Sequence, residues 1–82
     1  MGYHLSEIPK GVYGEVSKIT EEYLEFLDAH QQSKVMELVE LSDLLGAIEA
    51  YITKEYKGTV SLNDLIKMKD LTKSAFEDGS RK

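Results

Sequence analysis

The chain contains no cysteine and no tryptophan, and it has only one proline among its 82 residues. Without cysteine, disulfide bonds and thiolate metal sites are excluded, so any metal ion must bind through oxygen or imidazole ligands. The two histidines, His4 and His30, lie too far apart in the sequence to suggest an imidazole-rich site. Carboxylates are therefore the candidate metal ligands.

Long apolar runs and an excess of positive charge are also missing. No stretch approaches the roughly 18 apolar residues of a membrane span, and residues 1–10 lack the apolar core of a signal peptide. We therefore expect a cytoplasmic protein without a membrane partner. Fifteen acidic residues against ten basic ones give a net charge of −5, which argues against a nucleic-acid partner held by phosphate contacts.

Hydrophobic periodicity predicts a single domain made of three helices. Ser33 is expected to cap the second helix, Gly58 to end it, and Ser61 with Asp64 to form a capping box before the third. Beyond a possible extended piece around Thr59 and Val60, no strand is predicted. The predicted segments are an irregular arm at 1–12, helices at about 13–30, 34–57 and 61–78, and a loose tail at 79–82.

The predicted fold class is all-α. Apolar residues spread around the second helix, which indicates a central helix covered on more than one side. A chain of this size cannot cover all the apolar positions of three such helices. We expect a helical bundle completed by homo-oligomerisation, as a homodimer or a homotetramer. The main apolar face of the second helix comprises Leu38, Leu41, Leu45, Ile48 and Ile52.

Two pairs of carboxylates stand out, each pair spaced by one helical turn. Glu22 and Glu25 lie on the first helix and Glu40 and Asp43 on the second, with fourteen residues between the two pairs. Positions i and i+3 lie within about 60° of each other on a helix, so each pair can converge on one point. Four such groups repel one another unless they are protonated or bind a cation. The spacing favours Mg²⁺, with Mn²⁺ as a substitute, and a polyphosphate ligand.

Cations and further acids flank these pairs. Lys18 precedes Glu22 by four residues, and Lys54 ends a stripe of small residues beyond Asp43, so both are candidate phosphate ligands. Glu37 is a candidate accessory ligand, a base that acts from outside the metal's own ligands, or the partner of a lysine from a neighbouring subunit. Glu21 is expected to project outward into solvent. The alternative interpretation is a solvated acidic face with ordinary intrahelical ion pairs.

The tyrosines fit core or edge positions by their spacing. Stacking on a nucleobase, at Tyr13 or Tyr51, is the alternative.

The residues around both carboxylate pairs resemble the MazG-like members of the all-α nucleotide pyrophosphohydrolases. That family carries an ExxE motif, a spacer and an ExxD motif, which Glu22, Glu25, Glu40 and Asp43 match. The segments Lys18–Glu25 and Glu40–Ile48 resemble the family's first two helices, and Leu62–Phe76 resembles the final helix of small phage-type members. The resemblance covers about residues 11–81.

The resemblance implies hydrolysis of a nucleoside triphosphate to the monophosphate and pyrophosphate. The four acids would hold Mg²⁺, and Glu22 or Glu25 would be the better candidate for a general base. The protein would then act in the cytoplasm of a bacterium, or of the host cell if it is phage-encoded. Two alternatives remain open: a non-catalytic helical interaction or regulatory protein, and the same fold acting on an alarmone such as guanosine tetraphosphate.

Overall fold

The computed structural model describes residues 7–79. Three helices account for most of them: α1, Val16–His30; α2, Lys34–Tyr56; and α3, Leu62–Glu77. No strand occurs between residues 7 and 79, so the all-α class is confirmed. The first half of the predicted arm, with His4, and residues 80–82 of the predicted tail lie outside the described residues.

Helix α2 begins and ends where local chemistry requires. The Met36 N–H donates a hydrogen bond of 3.2 Å to the Ser33 hydroxyl, so the predicted N-cap is confirmed. At the other end Lys57 adopts a left-handed conformation with φ 49°, and Gly58 follows with φ 87°. Two successive left-handed residues cannot continue an α-helix, which therefore ends at Tyr56.

A reciprocal capping box begins α3. The Ser61 N–H donates to Asp64 Oδ2 at 2.8 Å, and the Asp64 N–H donates to Ser61 Oγ at 3.2 Å. The hydrogen bond from the Ser61 backbone lowers the pKa of Asp64. An aspartate thus fills the role usually taken by glutamate or glutamine. Thr59 and Val60 form a bend and not a strand.

Before α1, the chain folds back against the start of the helix. The Val12 N–H donates to Ser17 Oγ at 3.0 Å, and the Glu15 N–H donates to the Val12 carbonyl at 2.9 Å. A Cβ atom on Gly11 would lie 2.2 Å from the Ser17 carbonyl oxygen, so only glycine permits this approach. The turn delays the start of α1 to Val16, three residues later than the predicted start.

Helices α1 and α2 form an antiparallel hairpin because only residues 31–33 connect them. Helix α3 contacts α2 and, over the described residues, makes no contact with α1. The buried apolar core consists of Ala29, Ala47 and Ile52. Large apolar side chains remain exposed on all three helices, including Val35, Leu38, Leu41, Leu45, Met68 and Leu71.

In one copy of the chain, the predicted apolar face of α2 is therefore covered only toward its C-terminal end. Among residues 7–79, no helix combines the length and apolar character needed to cross a membrane.

Candidate metal centre

Carboxylates outnumber apolar side chains among the buried residues of α1 and α2. Glu40 is fully buried, and Glu22 and Glu25 are 5% and 8% exposed. A domain of this size rarely buries an acidic side chain unless it is paired or binds a metal ion. The buried acids are Glu21, Glu22, Glu25, Asp28 and Glu40.

The four carboxylates of the two predicted pairs fall into two groups that share one residue. One oxygen from each of Glu22, Glu40 and Asp43 lies within 4.8 Å of the other two, and the same holds for Glu21, Glu22 and Glu25. Glu22 is thus the residue through which the ExxE pair of α1 meets the ExxD pair of α2.

The hydrogen bonding of Glu22 leaves room for a cation. Its Oε2 atom pairs with Lys18 Nζ at 3.0 Å, whereas its Oε1 atom is buried and makes no hydrogen bond. An unpaired carboxylate oxygen in a buried position is costly unless a cation or a donor compensates it. The oxygen-only donor set suits a hard divalent ion such as Mg²⁺ or Mn²⁺. The residues present therefore fit the expected metal.

Lys18 supplies positive charge at the edge of the cluster that these two carboxylate groups form. Its ammonium group lies 3.0 Å from Glu22 Oε2 and 3.2 Å from Glu21 Oε1. The hydrogen bond to Glu22 is the main cause of a raised Lys18 pKa, and burial partly opposes it. Lys18 is therefore charged at neutral pH beside the carboxylates, and its phosphate role stays a prediction.

The prediction that Glu21 projects into solvent is wrong. Glu21 is 3% exposed, because the arm before α1 covers it: the Gly11 N–H donates to Glu21 Oε1 at 2.8 Å, and Lys10 Nζ lies 3.7 Å from Oε2. Burial raises the Glu21 pKa, but the hydrogen bonds from Gly11 and Lys18 outweigh it, so the pKa is lowered. The helical wheel could not reveal this contact, since the covering residues come from outside the helix.

Asp43 is the most exposed member of the cluster. Burial and the neighbouring charges of Glu40 and Glu22 raise its pKa, and Lys18 opposes this only in part. Negative charges close enough to oppose one another's ionisation are the physical signature of a site that gains from a cation.

Two residues of the predicted site lie elsewhere. Glu37 pairs with His30 Nδ1 and lies 3.4 Å from Lys34 Nζ, near the α1–α2 turn and outside both carboxylate groups. The hydrogen bond from His30 is the main reason for a lowered Glu37 pKa. Lys54 Nζ lies 3.5 Å from Glu15 Oε2 and is half exposed. Metal or phosphate roles for these two residues stay predictions.

An open cavity of about 370 Å³ adjoins the carboxylates. Its position gives these carboxylates a route to solvent and to a ligand. The lining residues are Tyr13, Lys18, Glu22, Ser42, Asp43, Gly46 and Ala47.

Comparisons with protein-family models, with curated proteins and with solved structures gave no match for this chain.

Proposed function

We propose that the chain is an Mg²⁺-dependent nucleoside triphosphate pyrophosphohydrolase of the MazG-like kind. The observation that carries the proposal is Glu22, a buried carboxylate shared by two acidic groups, with one oxygen that makes no hydrogen bond. A cavity reaches this residue, and a lysine lies beside it. The match to the ExxE and ExxD motifs adds the class of reaction.

Glu22, Glu40 and Asp43 would hold the metal, and Glu25, which lies in the other group with Glu22, would complete the predicted set of four ligands. Bound Mg²⁺ would neutralise phosphate charge and polarise a water molecule. Lys18, charged and at the cavity wall, would offset the negative charge that develops on the phosphates. Glu21 is tied to Gly11, Lys10 and Lys18, which suits it to holding Lys18 in place.

In the proposed reaction, the water oxygen forms a bond to the α-phosphorus. The bond between that phosphorus and the α,β-bridging oxygen breaks, and pyrophosphate leaves. The water proton passes to a carboxylate, for which Glu22 and Glu25 are the candidates. The products are a nucleoside monophosphate and pyrophosphate.

The burial of Glu22, Glu25 and Glu40 argues against an acidic surface that binds a basic partner. A docking surface needs its charges at the exterior, whereas these face the opposite helix. Alarmone hydrolysis would use the same cluster, so guanosine tetraphosphate belongs in the substrate test.

The test is incubation with a panel of canonical and modified nucleoside triphosphates, with guanosine tetraphosphate as a further substrate, with and without Mg²⁺. We expect Mg²⁺-dependent release of pyrophosphate and monophosphate, which is lost in a Glu40→Ala, Asp43→Ala double variant. Orthophosphate release, or equal activity of the double variant, would contradict the proposal. Hydrolysis of guanosine tetraphosphate alone would favour the alarmone reaction.

We also propose that a second copy of the chain covers the exposed apolar surface. Val35 and Leu38 on α2 are 72% and 67% exposed, and Leu71 on α3 is 82% exposed. Apolar side chains this exposed on neighbouring helices are typical of an oligomer interface. Light scattering coupled to size exclusion should give a dimer or a tetramer, and Leu38→Lys should weaken it. A monomer at all concentrations would overturn this proposal.

A further inference from the structure

A second cavity, of about 340 Å³, lies further along α2 than the cavity beside the carboxylates. Tyr13 lines both cavities, so the two adjoin at this residue. The α2 residues in the first cavity are Ser42, Asp43, Gly46 and Ala47, and those in the second are Glu49, Ala50, Thr53 and Lys54. Together they form one trough, which follows successive turns of α2 away from the metal cluster.

Gly46 forms the floor of this trough without any evident packing role in the chain. It lies in the middle of α2, where glycine is less favourable than alanine. A Cβ atom added at Gly46 would meet no atom of the described chain within 4 Å. By contrast, Gly11 is required by the Ser17 carbonyl and Gly14 by its φ of 90°. The open space at Gly46 therefore suits a ligand that approaches the helix backbone closely.

Tyr13 is a large aromatic side chain that the fold leaves 75% exposed at the junction of the two cavities. Its backbone is held by the turn in which the Glu15 N–H donates to the Val12 carbonyl. An exposed aromatic ring on a fixed backbone is a suitable platform for a planar ligand, since base stacking needs only a free ring face.

We propose that this trough is the nucleoside subsite of the chain, an assignment that rests on the function proposed above. The triphosphate lies at Lys18 and the carboxylates, the sugar passes over Gly46, and the base stacks on Tyr13. The base then reaches the second cavity, where Thr53 and Lys54 offer polar groups to its edge. This orientation places Lys54 at the base and not at the phosphates.

The first test compares ligands with and without a base. Calorimetry in the presence of Mg²⁺ measures the binding of inorganic tripolyphosphate and of the best nucleoside triphosphate, the latter as its α,β-methylene analogue, which cannot be hydrolysed at that bridge. Tyr13→Ala should weaken nucleotide binding by about 5- to 150-fold, the range measured for loss of one base–aromatic stack. Tyr13→Phe should retain the affinity, and tripolyphosphate affinity should be unchanged in both variants. Tyr23→Ala, a half-exposed tyrosine that lines neither cavity, is the matched control.

The second test uses a substitution with opposite effects on stability and on binding. Gly46→Ala should raise the melting temperature by about 2 to 8 °C, because alanine favours the helix. The added methyl group should at the same time weaken nucleotide binding and leave Mg²⁺ binding intact. A variant that is more stable but binds nucleotide less well cannot be explained by misfolding.

Each outcome separates the subsite from the reaction. Nucleotide that binds in a Tyr13-dependent way but is not hydrolysed would support the subsite and overturn the proposed reaction. Pyrophosphate release that is unchanged in Tyr13→Ala and Gly46→Ala would overturn the subsite and leave the reaction standing. Failure to bind any nucleotide in the presence of Mg²⁺ would overturn both.

Discussion

Replacing Glu22 by glutamine should abolish most of the stabilisation that Mg²⁺ is expected to give through the proposed metal site. Glu22 belongs to both carboxylate groups, so the substitution removes a ligand from each. The variant should still fold without metal, because the new amide can donate a hydrogen bond to the neighbouring carboxylates, Glu40 and Asp43. Glutamine also has nearly the same volume and fits the same buried position.

The size of the effect follows from binding linkage. An ion that binds only the folded state, at 100 times its dissociation constant, stabilises that state by about 2.7 kcal/mol. For a domain of this length, each kcal/mol raises the melting temperature by about 4 to 8 °C. The unmodified protein should therefore gain about 11 to 22 °C. If the variant binds 100-fold more weakly, about 0.4 kcal/mol and about 2 to 3 °C remain at the same Mg²⁺ concentration.

The assay is thermal unfolding followed by circular dichroism, at one protein concentration, across a series of Mg²⁺ concentrations. Glu55→Gln is the matched control, since it removes the same charge from an exposed position of α2. It should keep the full shift. An equal Mg²⁺ shift in Glu22→Gln and in the unmodified protein would refute the reasoning, as would an equal shift produced by Na⁺ at matched ionic strength.

Three further predictions concern single residues of the described chain. Burial and nearby acids raise the pKa of Asp43 in the folded protein. Protonated Asp43 therefore stabilises the folded state at low pH, and this contribution is lost as the pH rises through the folded-state pKa. Asp43→Asn should therefore raise the melting temperature of the metal-free protein at neutral pH and remove the increase caused by Mg²⁺. Melting curves recorded at several pH values test this, and a metal-free melting temperature below that of the unmodified protein would contradict it. Lys18→Met should preserve or strengthen Mg²⁺ binding, as measured by calorimetry, but should reduce kcat/KM for the triphosphate by about 10²-fold. A loss of Mg²⁺ binding in this variant would instead assign Lys18 a structural role. Ser61→Ala should destabilise α3 by about 1 kcal/mol and speed amide hydrogen exchange in that helix, whereas Ser33→Ala should have these effects on α2. Unchanged hydrogen exchange of α3 in Ser61→Ala would contradict the capping role of Ser61.

The three helices and most of their limits follow from local contacts, although a turn delays the start of α1 to Val16. Caps and helix ends depend on contacts between residues a few positions apart, such as Ser33 with Met36 and Ser61 with Asp64. The proximity of Glu22 and Glu25 is also a local feature, since one helical turn separates the two residues. These features were therefore predictable before any tertiary structure was known.

Which helix faces meet depends on tertiary packing. A helical wheel shows that α2 has an apolar face and an acidic, small-residue face, but it does not say which of them packs against α1. In this fold the second face does, which buries Glu40 and Ala47 and leaves Leu38 exposed. The burial of Glu21 by Gly11 could likewise not be predicted from the sequence, because the covering segment approaches from outside the helix. The carboxylates could be listed from their spacing, whereas their enclosure, and the central place of Glu22 among them, depends on how two helices and an arm pack.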